Sequence, residues 1–323
     1  MRQGPKPLSA AAAPYLAAMI VVAVALSFGS CAGRVPSGKK TIVVTYSILG
    51  TLVQDLVGER FRVLVSIPEG LDLHEWEPSA KDIEAIDGAD LVVENGLGLE
   101  GGLAKTLDQA RKAGVKFFTA SDHVLARTVG ADEGIPPGDP YRAVGAQDPH
   151  LWTDPVTMQA IIDALAEEID ADFHVDLSTR RVDLDARLEA LDAEIALKAA
   201  NIPEEERRLV TGHESMGYFA QRYGFKIVGA VVPSLSTEAE SSAPDLVELK
   251  KLIALDRVTV VFTELGENPK VAEVLAREAH VASVPLVTHS LPKGEDYFGF
   301  VRSLADAIVG ALANNRNPPR PLS

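Results

Sequence analysis

The sequence has a single cysteine, Cys31, among its 323 residues, so no disulfide can form within the chain. It has no low-complexity tract, and its charged residues are spread along the chain rather than gathered in a tail. It also lacks a basic excess, because the formal net charge is −15, which argues against a nucleic-acid partner. What remains, with 46% hydrophobic residues, is the composition of a globular protein with substantial cores.

One long apolar run lies near the amino terminus, and it is too short for a relaxed membrane-spanning helix. The run extends from Ala17 to Phe28, follows two basic residues and has the proportions of a signal-peptide core. Small residues then lead to Cys31, an arrangement that resembles a bacterial lipobox. We therefore predict a lipoprotein-type signal peptide over residues 1–30, then a lipidated Cys31 and a leash over residues 31–40. Ordinary secretory cleavage or an uncleaved anchor is the alternative.

Beyond the leash, short apolar runs alternate with helical patterns, as in proteins built from βαβ units. The alternation occurs twice, before and after a helical pattern from Leu177 to Ala199. We therefore predict an α/β fold with two pseudo-symmetric lobes, each a mostly parallel sheet flanked by helices, joined by that one long helix. The predicted boundaries are residues 41–172 for the first lobe, 173–200 for the linking helix and 201–317 for the second lobe.

Two further predictions are local. The pattern from Glu100 to Ala113 predicts a helix of the first lobe. The segment from Asp122 to Asp148 is rich in Gly, Pro and Asp, and it predicts an irregular, mobile excursion.

Four of the seven histidines form two pairs, His74 with His150 and His213 with His289, and both pairs are 76 residues apart. Each lies where a strand ends or the chain turns, which is where α/β proteins build their sites. Four imidazoles from two lobes would complete a tetrahedral nitrogen shell for a metal such as zinc and leave no open position for catalysis. The pattern therefore favours a metal carrier.

A zinc hydrolase is the competing interpretation of these histidines. The helical metalloprotease motif needs a second histidine four residues after the first, but Pro78 and Gly217 stand at those places. The remaining histidines, His123, His174 and His280, lack any motif, so we interpret them as surface residues or hydrogen-bonded core residues.

Several ordered motifs carry a resemblance to one known family. They are Leu73–Pro78 with Ala89–Glu100, Asp148–Pro155, Gly212–Ala220 with Arg222–Gly224, Ser236–Ala243 and Phe262–Glu264. Together they resemble the zinc- and manganese-specific solute-binding proteins of bacterial ABC importers, cluster A-I. The likeness spans essentially the whole exported chain.

The resemblance implies two lobes with little hinge bending and a metal at their interface. It places three ligands on His74, His150 and His213, and the fourth on His289, where the family commonly has Asp or Glu. Asp296 is the alternative source of that carboxylate. Imidazole ligands favour Zn²⁺, whereas carboxylates suit Mn²⁺, so we expect Zn²⁺ with Mn²⁺ as the alternative.

Several neighbours of these histidines have predicted supporting roles. Acids that could hydrogen-bond the second ring nitrogens are Glu75, Glu77, Asp154, Glu214 and Glu264. Trp76 and Trp152 could shield the site or simply pack in the core, and Tyr218 and Phe219 are predicted to be core residues.

The resemblance finally implies a function. We expect a monomeric receptor, lipid-anchored through Cys31 at the outer face of the cytoplasmic membrane, in a periplasm or at a cell surface. It would capture the metal and deliver it to an ABC permease and its ATPase, without catalysis. The alternatives are a lipid-anchored adhesin with a structural metal and, less favoured, a zinc-dependent hydrolase.

Overall fold

The computed structural model describes residues 38–130, 145–237, 239–264 and 269–316, together with Met1, Gly4 and Glu133. The predicted signal peptide, Cys31 and most of the leash lie outside the described residues, as do most residues between 131 and 144. The chain from Lys40 onward forms one compact unit. Within the described ranges, no helix combines the length and apolar composition that a membrane crossing requires.

The described part of the chain alternates strands and helices throughout. Its strands are β1 (Thr41–Tyr46), β2 (Arg62–Ile67), β3 (Leu91–Glu94), β4 (Phe117–Thr119), β5 (Arg208–Thr211), β6 (Lys226–Ala230), β7 (Val260–Glu264) and β8 (Ala282–Leu286). Its α-helices are α1 (Ser47–Val57), α2 (Ala80–Asp87), α3 (Ala104–Ala113), α4 (Pro155–Phe173), α5 (Ser178–Ala199), α6 (Gly217–Tyr223), α7 (Ala243–Leu255), α8 (Pro269–Ala279) and α9 (Tyr297–Asn314).

The first lobe is built on a four-stranded parallel sheet with the order β2-β1-β3-β4. Ile42 of β1 lies between Val63 of β2 and Leu91 of β3, and the same register continues along the strands. Strands β1 and β3 are almost wholly buried, as expected of parallel strands covered on both faces, and α1 packs on β1 and β2.

The second lobe contains two parallel pairs, β5-β6 and β7-β8, and β5 packs beside β7. Helices α7 and α8 cover one face, where Val210, Val261 and Leu275 belong to a separate small core. The two lobes therefore repeat the parallel βα scheme with different sheet sizes, and the predicted fold class is confirmed.

Helix α5 runs between the two lobes in the chain, and it packs against α4, α1 and α9. Its buried residues Leu184, Leu188, Leu191 and Ile195 have the spacing of three and four that the sequence predicts. The main hydrophobic core is continuous across both lobes, since it includes residues of β1, α5, β5, β7 and α9. Separating the lobes would expose part of this core, which supports the expectation of little hinge bending.

The helix predicted from Glu100 to Ala113 begins later, so its predicted start was wrong. Residues Gly101–Leu103 form a 3₁₀ turn, and α3 begins at Ala104. The buried side chain of Glu100 accepts hydrogen bonds from the backbone N–H of Asn95, at 2.7 Å, and from Thr45, at 2.8 Å. These tertiary bonds hold Glu100 outside the helix.

Candidate metal centre

The side chains of the four paired histidines lie close together, although they come from four separate segments of the chain. His74 lies in the turn that follows β2, and His150 directly precedes the 3₁₀ turn Leu151–Thr153. His213 follows β5 and His289 follows β8. His213 and His289 lie just beyond the carboxyl ends of parallel strands, at the sheet edges where α/β sites form.

The four rings form a buried cluster. Each offers one nitrogen, and these four atoms lie within 4.8 Å of one another. The Nε2 atom of His213 is 3.2 Å from that of His150 and 2.8 Å from that of His289. Four nitrogens about 2.0–2.1 Å from a tetrahedral Zn²⁺ would stand roughly 3.4 Å apart, which is close to the two Nε2–Nε2 distances around His213.

The cluster is shielded from water, and burial favours the neutral form of three of its rings, His74, His150 and His289. Burial, followed by the proximity of His213, lowers the pKa of His74 to about 4. The same two causes lower the pKa values of His150 and His289 well below the ordinary histidine value. Neutral imidazoles carry the lone pairs that a metal needs.

His74 gives a direct indication that the cluster is built for a ligand. Its Nε2 atom is buried and has no hydrogen-bond partner, while the ring is hydrogen-bonded to the backbone of Leu99. Buried polar atoms are nearly always paired, and an orphan costs free energy. A cation at the centre of the cluster would satisfy this nitrogen.

The outward-facing ring nitrogens are oriented by specific partners. Asp148 Oδ1 lies 2.8 Å from Nδ1 of His150. Glu264 Oε2 is paired with Nδ1 of His213 and lies 3.5 Å from Nδ1 of His289. The hydroxyl of Thr288 also contacts Nδ1 of His289, at 2.7 Å.

Among the predicted acids, Glu264 forms ion pairs with two of the histidine rings, those of His213 and His289. The carboxylate also accepts a hydrogen bond from Ser215 at 2.9 Å. Burial acts to raise the pKa of Glu264, but electrostatic interaction with His213 and His289 and hydrogen bonds from His213 and Ser215 lower it to about 2. A negative charge is thus held directly behind the cluster.

The other predicted acids are placed differently. Glu75 and Glu77 are exposed, and Glu214 is half-buried. Asp154 caps the amino terminus of α4 by accepting from the N–H of Val156, and it forms an ion pair with Arg222. Sequence reasoning missed Asp148 as a partner of His150, although the signal was present in the Asp-Pro-His spacing, which lets the carboxylate fold back onto the ring.

Asp296 does not belong to the cluster. Its side chain is half-exposed and caps α9 by accepting a hydrogen bond from the N–H of Gly299 at 2.8 Å. The histidines without motifs also lie elsewhere: His123 stacks on Phe118, and His174 and His280 have positive φ angles at helix ends. Among the described residues, the four paired histidines alone form a group able to hold a metal.

Trp152 closes one side of the cluster. It is fully buried, its ring centroid lies 5.3 Å from that of His150, and its Nε1 donates to the carbonyl of Thr288 at 2.7 Å. This bond joins the segment of His150 to that of His289. Trp76 is only half-buried, whereas Tyr218 and Phe219 are buried as predicted.

Comparison with known proteins shows the family of this chain. Residues 42–311 match the model of the ZnuA family, described as the periplasmic component A of the zinc-uptake complex. The zinc-binding protein TroA of Treponema pallidum is 28% identical over 292 residues, covering 85% of this chain and 90% of TroA. Its solved structure superposes with a TM-score of 0.72, covering 85% of this chain and 99% of the TroA chain.

Two further relatives extend the comparison. A putative metal-binding protein of T. pallidum is 30% identical, covering 91% of this chain and 92% of the relative. The manganese ABC transporter substrate-binding lipoprotein PsaA of Streptococcus pneumoniae is 26% identical, covering 92% of this chain and 98% of PsaA. The family consists of solute-binding proteins rather than enzymes, which confirms the prediction of a non-catalytic role. The chain is a member of the ZnuA family of metal-binding proteins of ABC importers.

Proposed function

We propose that this protein captures Zn²⁺ between its lobes on His74, His150, His213 and His289, and delivers it to an ABC permease driven by an ATPase. The observation that carries the proposal is the convergence of four buried imidazoles, two from each lobe, with their ligand atoms within 4.8 Å. The orphaned Nε2 of His74 gives further support. The names of the relatives, which include zinc-binding and manganese-transporting proteins, agree with metal uptake.

Zinc is the favoured cargo because of the donor set. Imidazole nitrogens suit zinc, whereas manganese prefers carboxylate and water oxygens. Four neutral ligands leave the ion with its full double charge, and Glu264, ionised behind His213, offsets part of that charge. Mn²⁺ remains the alternative cargo.

The location and organisation of the protein are also part of the proposal. A lipid anchor on Cys31, after removal of residues 1–30, would hold a monomer at the outer face of the cytoplasmic membrane by the leash 31–40. Relatives such as PsaA are named as lipoproteins, which supports this arrangement. Residues 41–172, 173–200 and 201–317 would be the first lobe, the linking helix and the second lobe. Release of the metal is assigned to docking on the permease, which would shift one lobe's histidines relative to the other's.

The decisive experiment is a metal-content measurement on the chain from residue 32 onward. The protein is stripped of metal, offered equal zinc and manganese, desalted and analysed by inductively coupled plasma mass spectrometry. We expect one zinc per chain, lost in His74→Ala and in His213→Ala. His123→Ala is the matched control and should keep the metal. A chain that retains no metal, or alanine variants that retain full zinc, would contradict the proposal.

Metal choice can be tested at the fourth position. We expect His289→Asp to keep zinc binding but to raise the retention of manganese relative to zinc by about tenfold, since a carboxylate replaces an imidazole. The same competition experiment measures the ratio. An unchanged ratio would mean that His289 is not a ligand.

A further inference from the structure

Arg127 is buried although it belongs to a connection rich in glycine, proline and aspartate. Its side chain is 7% exposed, and its Nη1 donates to Oδ2 of Asp148 at 3.0 Å. Its Nη2 forms an ion pair with Glu133. A buried guanidinium is costly unless it is paired, so the position of Arg127 depends on these carboxylates.

Asp148 connects Arg127 to the histidine cluster. Its side chain is 1% exposed, and Oδ1 lies 2.8 Å from Nδ1 of His150 while accepting the backbone N–H of His150 at 3.0 Å. One carboxylate oxygen therefore serves Arg127 and the other serves His150. The orientation of the ring is tied to the guanidinium through this single side chain.

The second lobe closes over this ion pair at the start of α6. The hydroxyl oxygen of Tyr218 accepts a hydrogen bond from the backbone N–H of Arg127 at 2.9 Å. Gly217 lies directly against the pair: a Cβ at this position would be 2.5 Å from Cζ of Arg127 and closer still to Oδ2 of Asp148.

Gly217 is not required by the backbone. It does not have a positive φ angle, and it is the first residue of a helix, where alanine would be accepted or preferred. Glycine is needed at this position because any Cβ atom would overlap Arg127 and Asp148. The missing side chain lets the second lobe pack directly on the Arg127–Asp148 pair.

From these contacts we propose that Arg127 is a positioning residue for metal retention: seated against Gly217 and Tyr218 when the lobes are packed, it holds Asp148 and thereby fixes the ring of His150. The inference rests on the proposed function, because it takes His150 to be a metal ligand. Loss of the contact between Arg127 and Asp148 lets the His150 ring rotate, so the metal dissociates faster. Partners that orient a metal ligand typically change affinity by about 10–100-fold.

The test is the rate of zinc dissociation into an excess of chelator, followed by stopped flow on the chain from residue 32 onward. This chain contains the whole compact unit. We expect dissociation about tenfold faster in Gly217→Ala and in Arg127→Gln. Arg127→Lys should recover part of the loss, because it restores a cation beside Asp148. The matched control is Gly310→Ala, since a Cβ on that helical glycine meets nothing within 4 Å; its rate should equal that of the unaltered protein.

A second measurement separates positioning from general stability. If Arg127 acts through Asp148, Arg127→Gln should change the rate by less than about twofold when Asp148→Asn is already present. Cobalt(II) bound in place of zinc should show an altered visible absorption spectrum in Gly217→Ala, because the geometry around the ion changes. Gly217→Ala remains informative if Arg127→Gln does not fold.

The outcomes distinguish this inference from the proposed function. Tight binding of one zinc by the unaltered chain, with an unchanged rate and cobalt spectrum in Gly217→Ala, would overturn the positioning role alone. Independent, multiplicative effects of Arg127→Gln and Asp148→Asn would overturn it as well. Failure of the unaltered chain to bind metal would overturn both.

Discussion

Each lobe contains a buried glutamate, and the two behave in opposite ways. Glu100 of the first lobe is 5% exposed and Glu264 of the second is 3% exposed. Burial raises the pKa of Glu100 to about 7, whereas the pKa of Glu264 is lowered to about 2. Equal burial therefore does not determine the charge of a carboxyl group.

The difference comes from the neighbours. Around Glu100, hydrogen bonds from Asn95 and Thr45 only partly offset burial, and Glu94 adds repulsion. Around Glu264, burial acts in the same direction, but His213 and His289 outweigh it. Glu264 is thus a permanent counter-charge for a cation held by the histidines. Glu100 accepts hydrogen bonds from Thr45 and Asn95, and the raised pKa favours its neutral form below about pH 7.

The largest expected effect of breaking this contrast is on zinc affinity. We expect Glu264→Gln to weaken zinc binding by about 100-fold, because it removes the charge behind His213 and His289 together with a strong acceptor for their ring N–H groups. Competition with a chromophoric chelator measures the affinity. Glu100→Gln is the matched control, with the same substitution at similar burial, and it should stay within about twofold of the unaltered protein. Equal losses in the two variants would contradict the role given to Glu264.

The second-largest expected effect is on the pH dependence of stability, through Glu100. The folded-state pKa of Glu100 lies above its unfolded value, so the folded protein binds this proton more tightly. The resulting stability is present below the unfolded pKa of about 4.5 and is lost as pH rises through about 7. Glu100→Gln should remove this dependence and make the protein about 3 kcal/mol more stable than the unaltered chain at pH 8, with little difference at pH 4.5.

Urea unfolding of the metal-free proteins at the two pH values measures this difference. Metal must be absent, since binding to the folded state would add its own stabilisation. A difference between Glu100→Gln and the unaltered chain that is the same at both pH values would contradict the titration of Glu100 in this window.

The sequence predicts the features that depend on local patterns and fails where tertiary contacts decide. Short apolar runs predicted the strands, of which β1 and β3 are buried on both faces, and the spacing of Leu184, Leu188 and Leu191 predicted the buried side of α5. The four histidines could be selected because each follows a strand end or a turn. The start of α3 could not be predicted, since Glu100 is held outside that helix by bonds to Asn95 and Thr45 from distant or preceding segments.

The side chains that orient the histidine rings were predicted less well. The equal 76-residue intervals suggested pairs within each half, and His213 does stack on His289 at 4.3 Å between ring centroids. Which acids reach the rings depends on tertiary packing, so Glu264 could not be ranked above Glu75 or Glu214 from sequence. Arg127 was missed because its role arises only where the second lobe covers it.

The smallest expected effect is at Thr288, and it tests whether Glu264 can serve both second-lobe histidines. The Thr288 hydroxyl lies 2.7 Å from Nδ1 of His289, but Glu264 Oε2 lies only 3.5 Å from the same atom. Thr288→Val keeps the shape and the carbonyl bond to Trp152, so Glu264 can replace the lost hydroxyl, and we expect zinc affinity to fall only about threefold. In the Glu264→Gln background the residue at 264 is a weaker replacement for the hydroxyl, so Thr288→Val should lower zinc affinity about tenfold. Chelator competition on the two single variants and the double variant measures both values. A Thr288→Val variant as weak as Glu264→Gln would mean that the hydroxyl, and not the shared carboxylate, holds His289 in place.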